Sequence, residues 1–170
     1  GRRFLSISPQ GLEHGEWENQ NIYSAGYFGF DNDELSGGFE EWDYGFDFYA
    51  PQTFKAKDLR TLLIGWQGIG DIPYKNPTAE LGRQHCLTIP RELSLDADGN
   101  ILQRPIRELD KLKKQASGFA DGDTFKAELP FSISTCRSER FKLTLAGILD
   151  IGFENGVFTL RFNGSPAGAG

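Results

Sequence analysis

The sequence predicts an all-β fold from its composition and from the spacing of its turns. It contains 21 glycines and 22 aromatic residues (14 Phe, 5 Tyr and 3 Trp), which is typical of β-rich chains with many turns. Short apolar segments are separated by clusters of Gly, Pro, Asn and Asp, and one segment alone has helical spacing. This regular succession of short strands suits a propeller or a sandwich.

Four strands are predicted in the first part of the chain. Arg3–Ser8 alternates apolar and polar residues, and Asn21–Phe30 is aromatic and β-prone. Phe46–Phe54 and Thr61–Trp66 flank the polar turn Lys55-Ala-Lys-Asp, so we expect a hairpin there.

A short strand and a second hairpin are predicted next. Cys86–Ile89 is the short strand. Leu93–Leu95 and Ile101–Gln103 flank the turn Asp96-Ala-Asp-Gly-Asn, in which Gly99 can adopt a positive φ.

A single helix is predicted over residues 105–116, linking two β units. Pro105 would occupy the first helical position, where its missing N–H is no loss. Ile106, Leu109 and Leu112 share one face, and lysines fill the last turn, where the helix dipole favours cations.

Residues 117–170 predict a second β unit that is incomplete. Phe141, Leu143 and Leu145 alternate with polar residues, and Asn155-Gly156 is the strongest two-residue hairpin signal in the chain. About four strands are few for an independent core.

The charge and the hydropathy of the chain argue against nucleic acid and membrane as partners. Its formal net charge is −6 and its pI about 5.0, whereas nucleic acid binding requires clustered cations. No apolar run approaches the roughly 18 residues of a membrane span. We therefore expect neither nucleic acid nor membrane as a partner, and the oligomeric state stays open.

The N-terminus points to processing. The chain has no methionine and begins with Gly1. Since translation starts at methionine, we expect that this end was made by processing or by cutting a longer protein. A mature chain that lost its initiator is the alternative.

No metal or cofactor site is predicted. Asp31-Asn-Asp-Glu begins like a calcium loop, but Leu35 stands at the third ligand position. Gly68-Ile-Gly lacks the third glycine and the following helix of a dinucleotide fingerprint. His14 and His85 lack zinc or triad spacing and are predicted to be surface or hydrogen-bonded side chains.

The two cysteines, Cys86 and Cys136, are too few for a disulfide scaffold. Cys86 lies in a mostly apolar segment, so we expect a buried thiol rather than a nucleophile.

The first third of the chain has the chemistry of a sugar site. Between Phe4 and Phe54 there is no Lys or Arg, but there are ten carboxylates and 13 of the 22 aromatic residues. Carboxylates accept hydrogens from sugar hydroxyls, and aromatic faces stack on the C–H face of a sugar ring. The most concentrated set is Asp43, Tyr44, Asp47, Tyr49 and Trp66.

A strand through this set would place Asp43, Gly45, Asp47 and Tyr49 on one face, because residues two apart share a face. A plainer interpretation stays open. The aromatic residues would then be core residues, and the acids a solvated rim.

Four motifs make the sequence specific. They are Ser8-Pro-Gln-Gly-Leu, Asp43-Tyr-Gly-Phe-Asp-Phe-Tyr-Ala-Pro-Gln-Thr-Phe, Leu63-Ile-Gly-Trp and Leu87-Thr-Ile-Pro-Arg-Glu-Leu. Because the four motifs occur in this order, the chain resembles glycoside hydrolase family 32, the invertases and β-fructofuranosidases, over about residues 4–115. Within that family it is most similar to the bacterial sucrose-6-phosphate hydrolase type.

The resemblance implies a five-bladed β-propeller followed by a β-sandwich. Residues 1–104 would form the last blades of the propeller, 105–116 a linker helix, and 117–170 part of the sandwich. The family hydrolyses sucrose, sucrose 6-phosphate or short fructans with retention, using two carboxyl groups about 5 Å apart.

The family's catalytic motifs are absent from this chain. Its nucleophile lies in Trp-Met-Asn-Asp-Pro-Asn-Gly, its transition-state aspartate in Arg-Asp-Pro and its acid/base in Glu-Cys-Pro, and none of these strings occurs here. We therefore assign no catalytic residue, no metal and no cofactor, and we expect the chain alone to be inactive.

Four residues are predicted to bind sugar through the resemblance. Asp43 matches the aspartate of the family's Asp-Tyr-Gly motif, which lines the pocket, and Trp66 matches the aromatic that walls the leaving-group side. Tyr44 and Tyr49 match the motif with less defined roles. Each has a structural alternative, such as Asp43 holding a loop or Tyr49 packing between blades.

Two functions remain after the sequence alone. The first is a C-terminal portion of a β-fructosidase that takes a small sugar substrate, sucrose or sucrose 6-phosphate. The second is a non-catalytic sugar-binding or structural all-β module. Free cysteines and the sucrose-phosphate type predict a cytoplasmic location.

Overall fold

The computed structural model describes residues 2–45, 47–72, 75–114, 116–128, 131–134 and 139–163. The chain divides into two compact units, residues 1–114 and 115–170. Phe46, Cys136 and the tail 164–170, all of which figured in the predictions, lie outside the described residues.

Strands account for nearly all regular structure in the described residues, which confirms the all-β prediction. The elements are β1 Arg3–Ile7, β2 Gly26–Asp31, β3 Glu34–Glu41, β4 Phe48–Lys55, β5 Thr61–Gln67, the 3-10 helix η1 Pro77–Leu81, β6 Cys86–Leu87, β7 Arg91–Leu95, β8 Ile101–Pro105, the 3-10 helix η2 Arg107–Leu112, β9 Arg140–Leu145, β10 Leu149–Glu154 and β11 Val157–Phe162. Within the described residues, no helix is long and apolar enough to cross a membrane.

The first sheet is the antiparallel meander β1-β2-β3. Its β2–β3 connection is a two-residue turn in which Asn32 and Asp33 have φ of 50° and 64°. These values suit the primed hairpin turns that match strand twist, and Asn and Asp tolerate them well. The Asp31-Asn-Asp-Glu segment is therefore a hairpin turn.

The second sheet has the order β4-β5-β7-β8, with β6 pairing to β5. Its two hairpins, β4–β5 and β7–β8, are the two predicted for this part of the chain. Gly99 has φ +86° in the β7–β8 turn, as expected. A bulge between Tyr49 and Gln52 interrupts the register of β4 with β5.

The core of the first unit lies where its two sheets meet. Ala25 and Trp42 pack with Phe48 and Leu63, and all four are at most 3% exposed. The indole Nε1 of Trp42 donates to the Ser6 hydroxyl at 2.9 Å, so the buried ring keeps a polar partner.

The predicted helix is present only as the short η2, because the β7–β8 ladder extends further than expected. Pro105 ends β8 opposite Arg91 instead of starting a helix. The Ile106 N–H then donates to the Pro90 carbonyl at 3.1 Å, which keeps the chain extended. Proline is tolerated there because β8 is an edge strand and needs no further donor on its open side.

The second unit contains one antiparallel sheet in the order β11-β10-β9. The predicted Asn155-Gly156 hairpin is confirmed, with φ of 52° and 81° at the two turn residues. Asp150 accepts from Lys142 at 2.7 Å and from Thr144 at 2.7 Å. These bonds lower the pKa of Asp150 to about 2.

Arg60 at the edge of β5 organises an ion-pair network. Its guanidinium contacts Asp58 at 2.6 Å, Glu92 at 3.0 Å and Glu108 at 2.5 Å. Glu92 also accepts from Arg107. Hydrogen bonding to Arg60 lowers the pKa of Glu108 to about 2, and hydrogen bonding to Arg107 and Arg60 lowers that of Glu92.

This network predicts a pH-dependent contribution to stability. Because the pKa values of both glutamates are lower in the folded chain, the contribution is fully present above about 4.5 and is lost as pH falls towards about 2. Denaturant unfolding of the wild type and of Arg60→Met from pH 7 to pH 2 measures it. We expect the difference in unfolding free energy to be constant above pH 5 and to shrink below it. A difference that does not change with pH would show that the network stabilises nothing electrostatically.

Candidate functional site

Two of the predicted sugar-binding residues are direct cross-strand neighbours. Tyr49 on β4 pairs in register with Trp66 on β5, so their side chains leave the sheet side by side. Trp66 is also opposite Leu87 on β6. Both aromatic rings are half-buried.

Tyr49 also contacts the segments that follow β1 and precede β2. Its hydroxyl donates to the Ser8 carbonyl at 3.3 Å, and its ring lies 5.4 Å from that of Tyr23. The Tyr23 hydroxyl in turn donates to the Asp71 carboxylate, which raises the pKa of the Tyr23 phenol. Tyr49 thus has packing partners within the first unit, while the alternative given for it, packing between blades, stays a prediction.

The other side of Trp66 is closed by His85 and Gly68. The imidazole lies 5.1 Å from the indole in an edge-on arrangement with an interplanar angle of 68°. A Cβ on Gly68 would overlap the His85 ring and come within 2.6 Å of the Trp66 Nε1. Glycine is therefore required for these rings to meet over residue 68.

Asp43 lies in the segment before β4 and is tied to β7. One carboxylate oxygen accepts from Arg91 and the other from the Gly45 N–H at 2.7 Å. Arg91 also donates to the Trp42 carbonyl at 3.3 Å and to Gln103 at 3.0 Å. Asp43 thus anchors its loop, the alternative role given for it.

The Asp43 carboxylate still has capacity for a ligand. An ionised carboxylate offers about four lone-pair positions, and the contacts above use two of them. Asp43 can therefore accept hydrogen bonds from hydroxyl groups at its remaining lone-pair positions.

The loop after Asp43 is fixed by Asn21. The Asn21 amide donates to the Gly45 carbonyl and accepts from the Asp47 N–H, both at 2.9 Å. Tyr44 projects from this loop and is 64% exposed. Desolvation, followed by the carboxylates of Glu40, Glu41 and Glu18, raises the pKa of its phenol.

The prediction that Asp43, Gly45, Asp47 and Tyr49 share one strand face is wrong. β4 begins only at Phe48, and Asp47 has φ +58°, which breaks the two-residue alternation. The structure instead forms two groups, Tyr49 with Trp66 across the β4–β5 pair, and Asp43 with Arg91 beside the Phe48 ring.

The prediction of a buried Cys86 thiol is also wrong. Cys86 is exposed, because β6 is a two-residue strand whose residues are both exposed. Its thiol lies 3.5 Å from the Gln67 side-chain oxygen. His14 is exposed, and His85 lies 3.1 Å from the Gln84 amide, as predicted for surface or hydrogen-bonded histidines.

Two contributors to this region were missed from sequence. Arg91 lies within the quoted Leu87-Thr-Ile-Pro-Arg-Glu-Leu motif, so the motif itself could have indicated it. His85 immediately precedes Cys86 and was set aside because it has no partner spacing. Its role depends on a contact with a residue 19 positions earlier, which spacing rules do not detect.

The cleft between β1–β3 and the β7–β8 turn lies apart from these residues. It has a volume of about 430 Å³, and its walls include Tyr27, Glu40 and Asn100. None of the four predicted sugar-binding residues lines it.

Comparison with known proteins covers most of the first unit. Residues 2–105 match the family described as the glycosyl hydrolases family 32 N-terminal domain. The chain is 43% identical over 129 residues to a sucrose-6-phosphate hydrolase of Staphylococcus xylosus, covering 71% of this chain and 26% of that protein. It is 37% identical over 115 residues to a raffinose invertase of Escherichia coli, covering 68% of this chain and 21% of that protein.

Solved structures agree. A GH32 beta-fructofuranosidase of Bombyx mori superposes with a TM-score of 0.60 at 33% identity, covering 68% of this chain and 25% of that one. A sucrose-6-phosphate hydrolase of Lactobacillus gasseri superposes with a TM-score of 0.56 at 28% identity, covering 65% of this chain and 24% of that one. The chain spans about a quarter of the length of these relatives. By sequence and by fold, the chain therefore belongs to glycoside hydrolase family 32.

Proposed function

We propose that this chain forms the sugar-binding wall of a retaining β-fructofuranosidase that hydrolyses sucrose, sucrose 6-phosphate or short fructans. The observation on which this mainly rests is that one sheet carries both groups, the Asp43–Arg91 ion pair beside the Phe48 ring and the half-buried Trp66 next to Tyr49. Relatives named sucrose-6-phosphate hydrolase and invertase support the substrate class, as does a Bombyx mori GH32 mutant solved in complex with sucrose.

In this proposal the chain supplies binding and electrostatics. Positive charge develops on the furanose ring as the glycosidic bond breaks. The first third of the chain, with its ten carboxylates and no cation between Phe4 and Phe54, favours that charge. Asp43 accepts hydrogen bonds from sugar hydroxyls, Trp66 packs on the leaving-group side, and Tyr44 and Tyr49 flank them.

We propose that the two catalytic carboxylates belong to sequence preceding Gly1 in the gene product. The quoted family motifs for nucleophile and acid/base are absent from residues 1–170. The chain also spans only about a quarter of the length of its relatives. Residues 1–104 would then be the last part of the propeller, 105–116 its link, and 117–170 part of the sandwich. We place the gene product in the cytoplasm, in keeping with the free thiol of Cys86.

A sucrose hydrolysis assay on two polypeptides tests this function. We expect the complete gene product to release glucose and fructose, and residues 1–170 alone to release neither, because attack and leaving-group protonation both require missing carboxylates. Translation of the gene upstream of Gly1 is the control, and we expect a Glu-Cys-Pro motif shortly before it. Hydrolysis by residues 1–170 alone, or a complete gene product without that motif, would contradict the proposal.

A further inference from the structure

Three unusual features meet at His85, outside the residues to which the family motifs point. His85 has φ +66°, a left-handed conformation that non-glycine residues seldom adopt. Its ring packs directly over Gly68, where no side chain could fit. Its Nδ1 is buried without a hydrogen-bond partner among the residues that the structure describes. Strain and an unpaired buried polar atom both cost stability, and such costs concentrate at functional sites.

The partner of the other ring nitrogen explains why a histidine is present. The Nε2 atoms of Gln84 and His85 are 3.1 Å apart. This contact restrains the rotation of the imidazole, and a phenylalanine in the same place would lack it.

The fixed ring in turn meets Trp66. The His85 and Trp66 rings meet edge-on at 5.1 Å, and both Nδ1 and the indole Nε1 lie next to Gly68. The half-buried indole thus has Tyr49 as its neighbour across the strand pair and His85 closing its other side. The indole thus contacts the imidazole, and the imidazole contacts the Gln84 amide.

We propose that His85 is a positioning residue, through which Gln84 orients the Trp66 indole for packing against the sugar. This inference rests on the proposed function, because it takes Trp66 as a wall of the sugar pocket. It adds that affinity for the leaving-group sugar depends on a chain of contacts from Gln84 to His85 to Trp66.

Steady-state kinetics of the complete gene product with sucrose test the inference through KM and kcat. His85→Asn tolerates the positive φ but removes the ring, and we expect KM to rise about tenfold with kcat within about twofold. His85→Phe and Gln84→Leu each keep a ring without its anchor, and we expect KM to rise about threefold. The matched control is His14→Phe, on an exposed histidine, with no expected change.

The double variant Gln84→Leu/His85→Phe gives the decisive result. If Gln84 acts through His85, the double variant has the same KM as His85→Phe alone. Additive effects, or variants that lower the melting temperature while leaving KM unchanged, would overturn the inference.

Trp66→Ala separates this inference from the function on which it rests. A raised KM for Trp66→Ala with unchanged KM for the Gln84 and His85 variants refutes the positioning role alone. An unchanged KM for Trp66→Ala refutes the sugar-wall role of Trp66 and the inference with it.

Discussion

Replacing Asp43 by alanine in the complete gene product is expected to lower kcat/KM for sucrose roughly 10- to 150-fold. One hydrogen bond to a charged group contributes about 1.5–3 kcal/mol, which corresponds to that range. The substitution also leaves Arg91, whose side chain is 21% exposed, without its carboxylate partner. Steady-state kinetics with sucrose measure the loss.

Two further variants separate sugar binding from loop anchoring. Asp43→Asn keeps an acceptor for the Gly45 N–H but loses the charge, so we expect most of the loop order and a smaller kinetic loss. Arg91→Met keeps the Asp43 carboxylate but releases the loop, and we expect the unfolding free energy to fall by about 1–3 kcal/mol. Equal kcat/KM for wild type and Asp43→Ala would remove Asp43 from the sugar site.

Trp66→Ala is the second substitution with a large expected effect. Under the proposed function, removing the indole deletes the apolar wall on the leaving-group side, and loss of such buried contact costs about 1.5–3 kcal/mol. We therefore expect KM for sucrose to rise roughly tenfold or more, whereas Trp66→Phe retains a flat face and recovers part of the affinity. The matched control is Trp17→Ala, because Trp17 is 59% exposed and lies outside the site. An equal effect of the two alanine substitutions would argue against a specific role for Trp66.

Hairpins were predictable where the turn contains residues that tolerate a positive φ. Asn155-Gly156 and the turn at Gly99 place residues that tolerate positive φ between apolar strands, and both hairpins formed as predicted. The β2–β3 hairpin was not predicted, although Asn32-Asp33 is a related signal. β3 reads Glu-Leu-Ser-Gly-Gly-Phe-Glu-Glu, whose acids and glycines conceal a strand that pairs with an aromatic neighbour.

The helix and the acidic segment show where local patterns fail. The apolar spacing over 105–116 suggested a full helix, but pairing of Pro105 with Arg91 extends β8 and leaves η2 only six residues. Likewise, the alternation from Asp43 to Tyr49 suggested a strand, but Asn21, far away in sequence, binds the Gly45 carbonyl and the Asp47 N–H before β4 begins. In both cases a long-range contact decided the local structure.

The site prediction likewise depended on local motifs and missed long-range contacts. The family motifs predicted Asp43 and Trp66 as sugar contacts by residue type, and that role stays a prediction. They did not reveal that Arg91 holds Asp43 or that His85 packs on Trp66, because these contacts join strands distant in sequence. The glycine at position 68 is informative only once the two rings above it are known.

A crystal structure of the complete gene product bound to sucrose tests the central claim most directly. We expect the fructosyl unit to lie within hydrogen-bond distance of the Asp43 carboxylate, with the leaving-group sugar against the Trp66 indole. Sucrose bound elsewhere, with Asp43 and Trp66 both directed away from it, would contradict the claim that this chain is the wall of a fructoside pocket.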